Sequence, residues 1–112
     1  MTNNPYGFGF PAATDILGDC YGKGDHAVYA RATIDNHLYL ETNGGPVELA
    51  SEEDFIDLCY NDNAALAVCS LAVRLAEDGR DELANFVAEH LSLAGRDDLA
   101  LSINWALARA SK

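Results

Sequence analysis

The chain of 112 residues carries 18 acidic and seven basic side chains, which gives it a formal net charge of −11 at pH 7. So acidic a chain is poorly suited to direct contact with nucleic acid or anionic lipid, because both are polyanions, and it favours basic proteins as partners. Acidity also keeps a small protein soluble, which is the plainer explanation of the same composition.

The apolar content and the cysteines indicate the class of protein. Hydrophobic residues make up 49% of the sequence, so we expect one domain, residues 1–112, whose core needs no disulfide or metal. No apolar run approaches the roughly 20 residues of a membrane span, and the first residues lack the basic and apolar blocks of a signal peptide. The three cysteines form no CxxC pair. We therefore expect a reduced, cytoplasmic protein.

Residues 1–25 predict a loop-rich arm, because glycine, asparagine, proline and aromatic residues dominate it. Three aromatic residues alternate with glycine there and would point to one side of an extended chain: Tyr6, Phe8 and Phe10. They are secondary candidates for partner binding, since aromatic side chains anchor many interfaces; the alternative is that they cover the sheet or the helices. Residues 12–17 predict one helical turn, which Gly18 would end.

Residues 26–50 predict a three-stranded antiparallel meander. Apolar and polar residues alternate along the first two strands, and Pro46 opens a third strand that we expect at an edge. Two turn signals separate the strands: Asp35-Asn36 and Asn43-Gly44-Gly45. The inner positions are apolar: Val28, Ala30, Ala32, Ile34, Leu38 and Leu40. The outer positions are expected to face solvent and form a weaker candidate surface: Tyr29, Arg31, Tyr39 and Glu41.

Residues 51–112 predict about four short helices. Ser51 and Asp54 form a capping pattern at the start of the first helix, where the helix dipole favours acidic residues. Asn61 or Asp62 caps the second helix, which is apolar on most sides. A helix with that pattern is normally central to its domain.

The motif GRDELA at residues 79–84 recurs as GRDDLA at residues 95–100. In each copy the glycine suits the left-handed position that ends a helix, and the aspartate caps or begins the next one. On the last helix, Trp105 is expected in the core, as large aromatic side chains usually are; the alternative is that it anchors a partner. The predicted fold class is α+β, with an N-terminal three-stranded antiparallel meander packed against a C-terminal bundle of about four short helices.

Acidic residues are concentrated in the helical part, since residues 51–98 hold twelve acids and three bases, a net charge of −9. If the helices alternate in direction, the start of the first helix and the turn between the second and third lie at one end. This acidic pole is the candidate partner-binding site and has seven residues: Glu52, Glu53, Asp54, Glu77, Asp78, Asp81 and Glu82. Helix capping explains most of them, but Glu77 and Asp78 stand where a helix ends and its dipole disfavours negative charge.

The segment DCYGKGDH, residues 19–26, is an alternative site for a small ligand or a metal. Cys20 and His26 lie on a glycine-rich loop beside two aspartates. Zinc needs about four ligands in a tetrahedral array, and this spacing matches no diagnostic ligand pair. No third group marks a nucleophilic pair, and GKGD lacks the spacing of a phosphate loop. We therefore predict no catalytic residue, no metal ligand and no cofactor.

These patterns favour a binding protein over an enzyme. Carboxylates on adjacent helical turns, with a pitch of about 5.4 Å, approach the ~3.4 Å spacing of phosphates along a DNA strand and could occupy lysine and arginine sites meant for phosphate. In size, acidity and lack of catalytic motifs the chain resembles phage anti-defence proteins such as anti-CRISPR proteins, many of which act in this way. The hypothesis is a small inhibitor of a basic nucleic-acid-binding complex or nuclease. The alternative is an immunity protein or antitoxin that neutralises a basic toxin nuclease.

Overall fold

A computed structural model describes residues 14–110 and shows a four-stranded antiparallel sheet packed against four α-helices. The strands lie in the spatial order β1 (Ile16–Leu17), β2 (Tyr29–Ala32), β3 (Leu38–Thr42) and β4 (Gly45–Glu48). The helices are α1 (Glu52–Leu58), α2 (Asp62–Glu77), α3 (Asp81–Leu93) and α4 (Asp97–Ala110). The α+β class is therefore confirmed, with four strands rather than three. The aromatic residues Tyr6, Phe8 and Phe10 lie outside the described residues.

Within the described part of residues 12–17, where the sequence predicts a helical turn, the chain instead forms the additional strand β1. It pairs with the end of β2, and Gly18 then donates its N–H to the carbonyl oxygen of Ala30 at 2.9 Å. The chain passes so close to α2 that a Cβ on Gly18 would lie 2.8 Å from the backbone nitrogen of Leu71. Gly18 is thus required by a close backbone approach and does not end a helix.

The inner face of the sheet packs on α2 and is apolar, as predicted. Its buried residues include Val28, Ala30, Ala32, Leu38 and Leu40. Ile34, which we expected to face inward, is 68% exposed because β2 ends before it and Ile34 stands in the following turn. In that turn Asn36 has a φ of 67°, a left-handed conformation that asparagine tolerates better than most residues.

The outer face of the sheet is less exposed than the alternation predicts. Tyr29 is fully buried and Glu41 is only 3% exposed. The Arg31 guanidinium lies between two carboxylates, with Nη1 2.9 Å from Asp15 and Nε 2.8 Å from Glu41. The same guanidinium stands 4.5 Å from the ring centroid of Tyr39. The prediction of a simple solvent-facing surface is therefore wrong, because an ion cluster and a buried tyrosine occupy this face.

The first two helices begin at the capping residues that the sequence predicts. Asp54 donates its backbone N–H to the Ser51 hydroxyl at 3.4 Å, and Ser51 donates its backbone N–H to the Asp54 carboxylate at 3.0 Å. This pair is a reciprocal capping box. The side-chain oxygen of Asn61 accepts the N–H of Asn63 at 2.9 Å and caps α2.

The repeated GRD motif forms two equivalent helix ends. Gly79 and Gly95 adopt left-handed φ angles of 82° and 88°. The backbone N–H of the following arginine donates to the carbonyl oxygen five residues earlier, at 2.9 Å for Arg80 and 2.8 Å for Arg96. These are the defining bonds of the Schellman motif, which satisfies carbonyl groups that a helix end leaves free. The aspartate of each copy is then the first residue of the next helix.

One hydrophobic core joins the sheet to the helices, with α2 at its centre. Nine of the 16 residues of α2 are buried, in agreement with the predicted central helix. The prediction for Trp105 is wrong, since this side chain is 61% exposed and α4 buries its opposite face. Among residues 14–110, no helix combines the length and the apolar character needed to cross a membrane.

Candidate protein-binding surface

The seven residues of the acidic pole occupy three helix ends. Three form the first turn of α1, two stand at the C-terminal end of α2, and two form the first turn of α3. Glu77 is the last residue of α2 and Asp78 is its C-cap, so both lie at the negative end of the helix dipole. All seven side chains except that of Asp54 are exposed.

Helices α1 and α3 begin at the same end of the helical layer. Ala50, just before α1, and Glu82, in the first turn of α3, line one cavity. Further along, the ring of Phe55 in α1 packs edge-on against Phe86 in α3, with centroids 5.7 Å apart. The two helices therefore run in the same general direction from that end, where the turn between α2 and α3 also lies. The fold thus places all three groups of carboxylates at one end.

The acidic pole has no internal neutralising partner in the described part of the chain. None of its seven carboxylates forms an ion pair within residues 14–110. The Asp54 carboxylate instead accepts the backbone N–H of Ala50 at 2.9 Å, and this bond lowers its pKa. Asp54 is therefore chiefly a cap, and the remaining six exposed carboxylates carry the negative field of the pole.

The arginines nearest to the acidic pole are held by other groups. Arg80 stands between the carboxylates in sequence, but its guanidinium donates to the carbonyl oxygen of Thr33 at 2.8 Å and to the side chain of Asn36. It thereby ties the α2–α3 turn to the β2–β3 turn. Arg74, one turn earlier in α2, pairs with Asp19. Neither arginine forms an ion pair with a carboxylate of the pole among residues 14–110.

The opposite end of the helical layer shows the contrasting arrangement. There Arg96, the arginine of the second GRD motif, lies 3.0 Å from Asp62 and 3.3 Å from Asp98. The bond from Arg96 lowers the pKa of the Asp98 carboxyl. Asp97 accepts the hydroxyl of Ser92 at 2.5 Å. Asp62, Asp97 and Asp98 are thus held by partners within the chain, whereas the carboxylates of the acidic pole form no ion pair among residues 14–110.

A cleft of about 380 Å³ opens beside the acidic pole, between the β3–β4 edge of the sheet and α3. Apolar side chains and two carboxylates line it: Leu38, Leu49, Leu83, Phe86, Glu48 and Glu82. Glu48 lies on β4, and its carboxylate is 3.1 Å from Nδ1 of His37. Sequence reasoning did not find Glu48, because only the folded sheet edge brings it next to α3.

Helices α3 and α4 also present an exposed apolar face, of which the sequence suggested only Trp105, as the alternative to its place in the core. Three large side chains are exposed there: Leu93, Leu101 and Trp105. Leu101 and Trp105 are four residues apart and therefore share one side of α4, opposite its buried residues. In the sequence, Leu99 and Ile103 form one apolar stripe of α4, and Leu101 and Trp105 form a second stripe on another side. Because one side of a surface helix faces the core, the second stripe indicates an exposed apolar face.

The alternative site at Cys20 and His26 does not assemble a ligand cluster. Within residues 14–110, no group of three or more histidine, cysteine or acidic side chains is placed to hold a metal ion. Desolvation raises the pKa of the Cys20 thiol, although a backbone hydrogen bond with Val28 opposes it, so the reactive thiolate is disfavoured. Burial in α2 raises the pKa of the Cys69 thiol to about 11.

Comparison of the chain with protein-family models, curated proteins and solved structures finds no match. Function is therefore inferred from the placement of charge and shape on the molecule.

Proposed function

We propose that this protein is a small, acidic, non-enzymatic inhibitor that binds a basic nucleic-acid-handling protein and occupies its phosphate-binding surface. The observation that carries the proposal is the acidic pole, whose exposed carboxylates make no ion pair within residues 14–110. Lysine and arginine side chains arranged for phosphate would meet such carboxylates with charge-assisted hydrogen bonds. Anti-CRISPR proteins that mimic nucleic acid provide the precedent for this mode of inhibition.

The position of Glu77 and Asp78 supports a binding role over mere solubility. A carboxylate at a helix C-terminus destabilises the folded protein by about 0.3–1 kcal/mol at low ionic strength. Solubility would be served equally well by acids at helix N-termini, where they stabilise the fold. Two adjacent acids at the unfavourable end of α2 are best explained by a contact outside the chain.

The internal use of arginine supports the same function. Arg80 and Arg74 contact the β2–β3 turn and Asp19, so their guanidinium groups stabilise the fold without neutralising the pole. A basic partner would therefore encounter a surface of one sign, which accelerates association and makes it sensitive to salt.

Capture of a partner from host-cell lysate tests the proposal. Immobilised protein is incubated with lysate at low and high salt, and captured proteins are identified by mass spectrometry. The purified partner is then offered duplex DNA or RNA in competition. We expect capture of a nucleic-acid-binding protein, loss of capture at high salt, and displacement by nucleic acid. A partner that binds its nucleic acid and this protein at the same time contradicts the mimicry.

Matched variants separate the acidic pole from net charge. The pole variant D78N/D81N/E82Q and the control D25N/D57N/E89Q each remove three exposed carboxylates, and only the first set lies in the pole. We expect the pole variant to lose capture and the control to retain it. Equal losses in both variants would mean that net charge alone governs binding.

The partner's identity separates the two biological settings of this function. A nucleic-acid-guided defence complex indicates an anti-defence inhibitor, whereas a single toxin nuclease indicates an immunity protein or antitoxin. Both settings require the same acidic pole, so the matched variants apply to either.

A further inference from the structure

We infer that the cleft between the β3–β4 edge and α3 receives an arginine side chain of the basic partner. This inference rests on the proposed function, because that partner supplies the arginine. The cleft adjoins the acidic pole through Glu82, which belongs to both. The pole would attract the partner, and the cleft would fix its position.

The shape and lining of the cleft suit a long side chain with an apolar stem. Its volume of about 380 Å³ lies at the lower end of the range for ligand pockets, roughly 300–1,000 Å³. Five apolar side chains line it: Leu38, Leu49, Ala50, Leu83 and Phe86. The methylene groups of arginine pack on such a surface while the charged head remains at a polar rim.

The charges of the cleft select a cation. Glu48 and Glu82 contribute carboxylates to the lining, and no lysine or arginine of the described residues lines it. The Glu48 carboxylate is 46% exposed, and its only hydrogen-bond partner among those residues is the His37 ring. Arg80 lies beside the cleft but is held by the carbonyl of Thr33 and the side chain of Asn36. An entering guanidinium would therefore find the Glu82 carboxylate, which has no ion pair among those residues, and the Glu48 carboxylate, which it would share with the His37 ring in the same lining.

Phe86 favours arginine over lysine. Its ring is fixed between Phe55, at a centroid distance of 5.7 Å, and His90, at 4.1 Å. A ring held in place loses little freedom on binding. The planar guanidinium stacks on aromatic rings and bonds a carboxylate with two parallel N–H groups, whereas the lysine ammonium approaches both groups only as a compact point charge.

Titration with a small probe tests the cleft without any partner. N-acetyl-arginine amide is added to the folded protein at low ionic strength, and backbone amide signals are followed by NMR; N-acetyl-citrulline amide is the neutral probe of the same shape. We expect saturable shifts at Leu38, Leu49 and Leu83 with the arginine probe alone. Equal binding of the citrulline probe, or arginine shifts located elsewhere, would overturn the inference. A lysine probe that binds as tightly would overturn the assignment to arginine.

Two double variants give the titration its control. E48Q/E82Q removes the carboxylates of the cleft and keeps their shape, whereas D57N/E89Q removes two exposed carboxylates outside it. We expect each carboxylate of the cleft to contribute about 2- to 5-fold to probe affinity, the range for partly exposed ion pairs. An equal loss of affinity in D57N/E89Q would show a general charge effect and contradict a specific site.

The single variant E48Q separates this inference from the proposed function, because Glu48 is not part of the acidic pole. We expect E48Q to weaken partner capture while keeping its hydrogen bond to His37. If the pole variant loses capture and E48Q does not, the cleft is not used and the proposed function stands. If the arginine probe binds but the captured proteins do not handle nucleic acid, the cleft stands and the proposed function fails.

Discussion

Removing charge from the end of α2 should stabilise the protein, whereas removing the same charge from the start of α3 should destabilise it. The variant E77Q/D78N deletes two carboxylates beside the negative end of the α2 dipole. The variant D81N/E82Q deletes two carboxylates beside the positive end of the α3 dipole. Each changes the net charge of −11 by two units. The two variants therefore have the same net charge, and they differ in whether the deleted carboxylates lay at the negative or the positive end of a helix dipole.

The expected difference follows from the contacts of these side chains. None of the four carboxylates makes an ion pair within residues 14–110, so no such contact is lost with the charge. At about 0.3–1 kcal/mol per carboxylate, each variant shifts the free energy of unfolding by roughly 0.6–2 kcal/mol, with opposite signs. An unfolding entropy of about 2.1 cal/mol/K per residue converts 1 kcal/mol into roughly 4 °C for a chain of this length. The two melting temperatures should therefore differ by roughly 5–16 °C.

Thermal unfolding followed by circular dichroism at low ionic strength measures this difference. Relief of general charge repulsion raises both melting temperatures alike, so the quantity to compare is the gap between the two variants. High salt should narrow the gap, because exposed charges are screened over about 10 Å at 0.1 M ionic strength. Equal melting temperatures at low salt would refute the reasoning. The position of Glu77 and Asp78 would then no longer support a binding role.

Three further predictions concern single residues. Gly18→Ala should lower the free energy of unfolding by about 1–3 kcal/mol in urea denaturation, because the new Cβ would lie 2.8 Å from the Leu71 backbone nitrogen; an unchanged midpoint would contradict that approach. Trp105→Ala should cost less than about 1 kcal/mol by the same method, against about 3–5 kcal/mol for a buried tryptophan. The hydrogen bond from the Ala50 N–H lowers the pKa of Asp54, so the ionised carboxylate stabilises the folded protein. This contribution to the free energy of unfolding is complete above the unfolded pKa of about 3.9 and is lost as pH falls through the lower folded value. The urea midpoint of D54N should therefore fall less on acidification than that of the unaltered protein, when both midpoints are measured over the same range of pH.

The helix boundaries could be predicted because short segments specify them. Ser51 and Asp54 satisfy each other's backbone groups within four residues, and Asn61 does the same for α2. Gly79 and Gly95 end their helices through bonds to carbonyl groups five residues or fewer away. Interactions of that range are visible in the sequence, so residue identity alone locates them.

The first strand could not be predicted, because its conformation depends on a partner far away in the chain. Two residues, Ile16 and Leu17, are too few to show an alternating pattern, and they form a strand only because β2 pairs with them. Gly18 suggested the end of a helix, although its actual role is to let the chain approach α2. A glycine that permits close contact has no local signature that distinguishes it from one that ends a helix.

The candidate site was predicted in part for the same reason. Glu77 and Asp78 stand at a helix end that the sequence specifies, so their unfavourable position could be seen in advance. Glu48 lines the cleft only because the folded sheet edge lies next to α3. In the sequence, the residues around Glu48 predict an ordinary edge strand. Glu41, which the alternation of the strands places in solvent, is buried in an ion cluster with Arg31 of β2 and with Asp15, the residue before β1.

The two GRD motifs hold their arginines in different ways: one arginine pairs with acidic residues beside it and the other does not. Each arginine follows a glycine in a Schellman motif and precedes the acidic first turn of a helix. Arg96 turns to acids of its own end, Asp62 and Asp98, whereas Arg80 turns to the β2–β3 turn. The arginine that stands between the carboxylates of the acidic pole in sequence, Arg80, is thus bound to the sheet and does not neutralise them. The same contact stabilises the junction of sheet and helices, so in our proposal structural stability and an available negative surface arise from a single side chain.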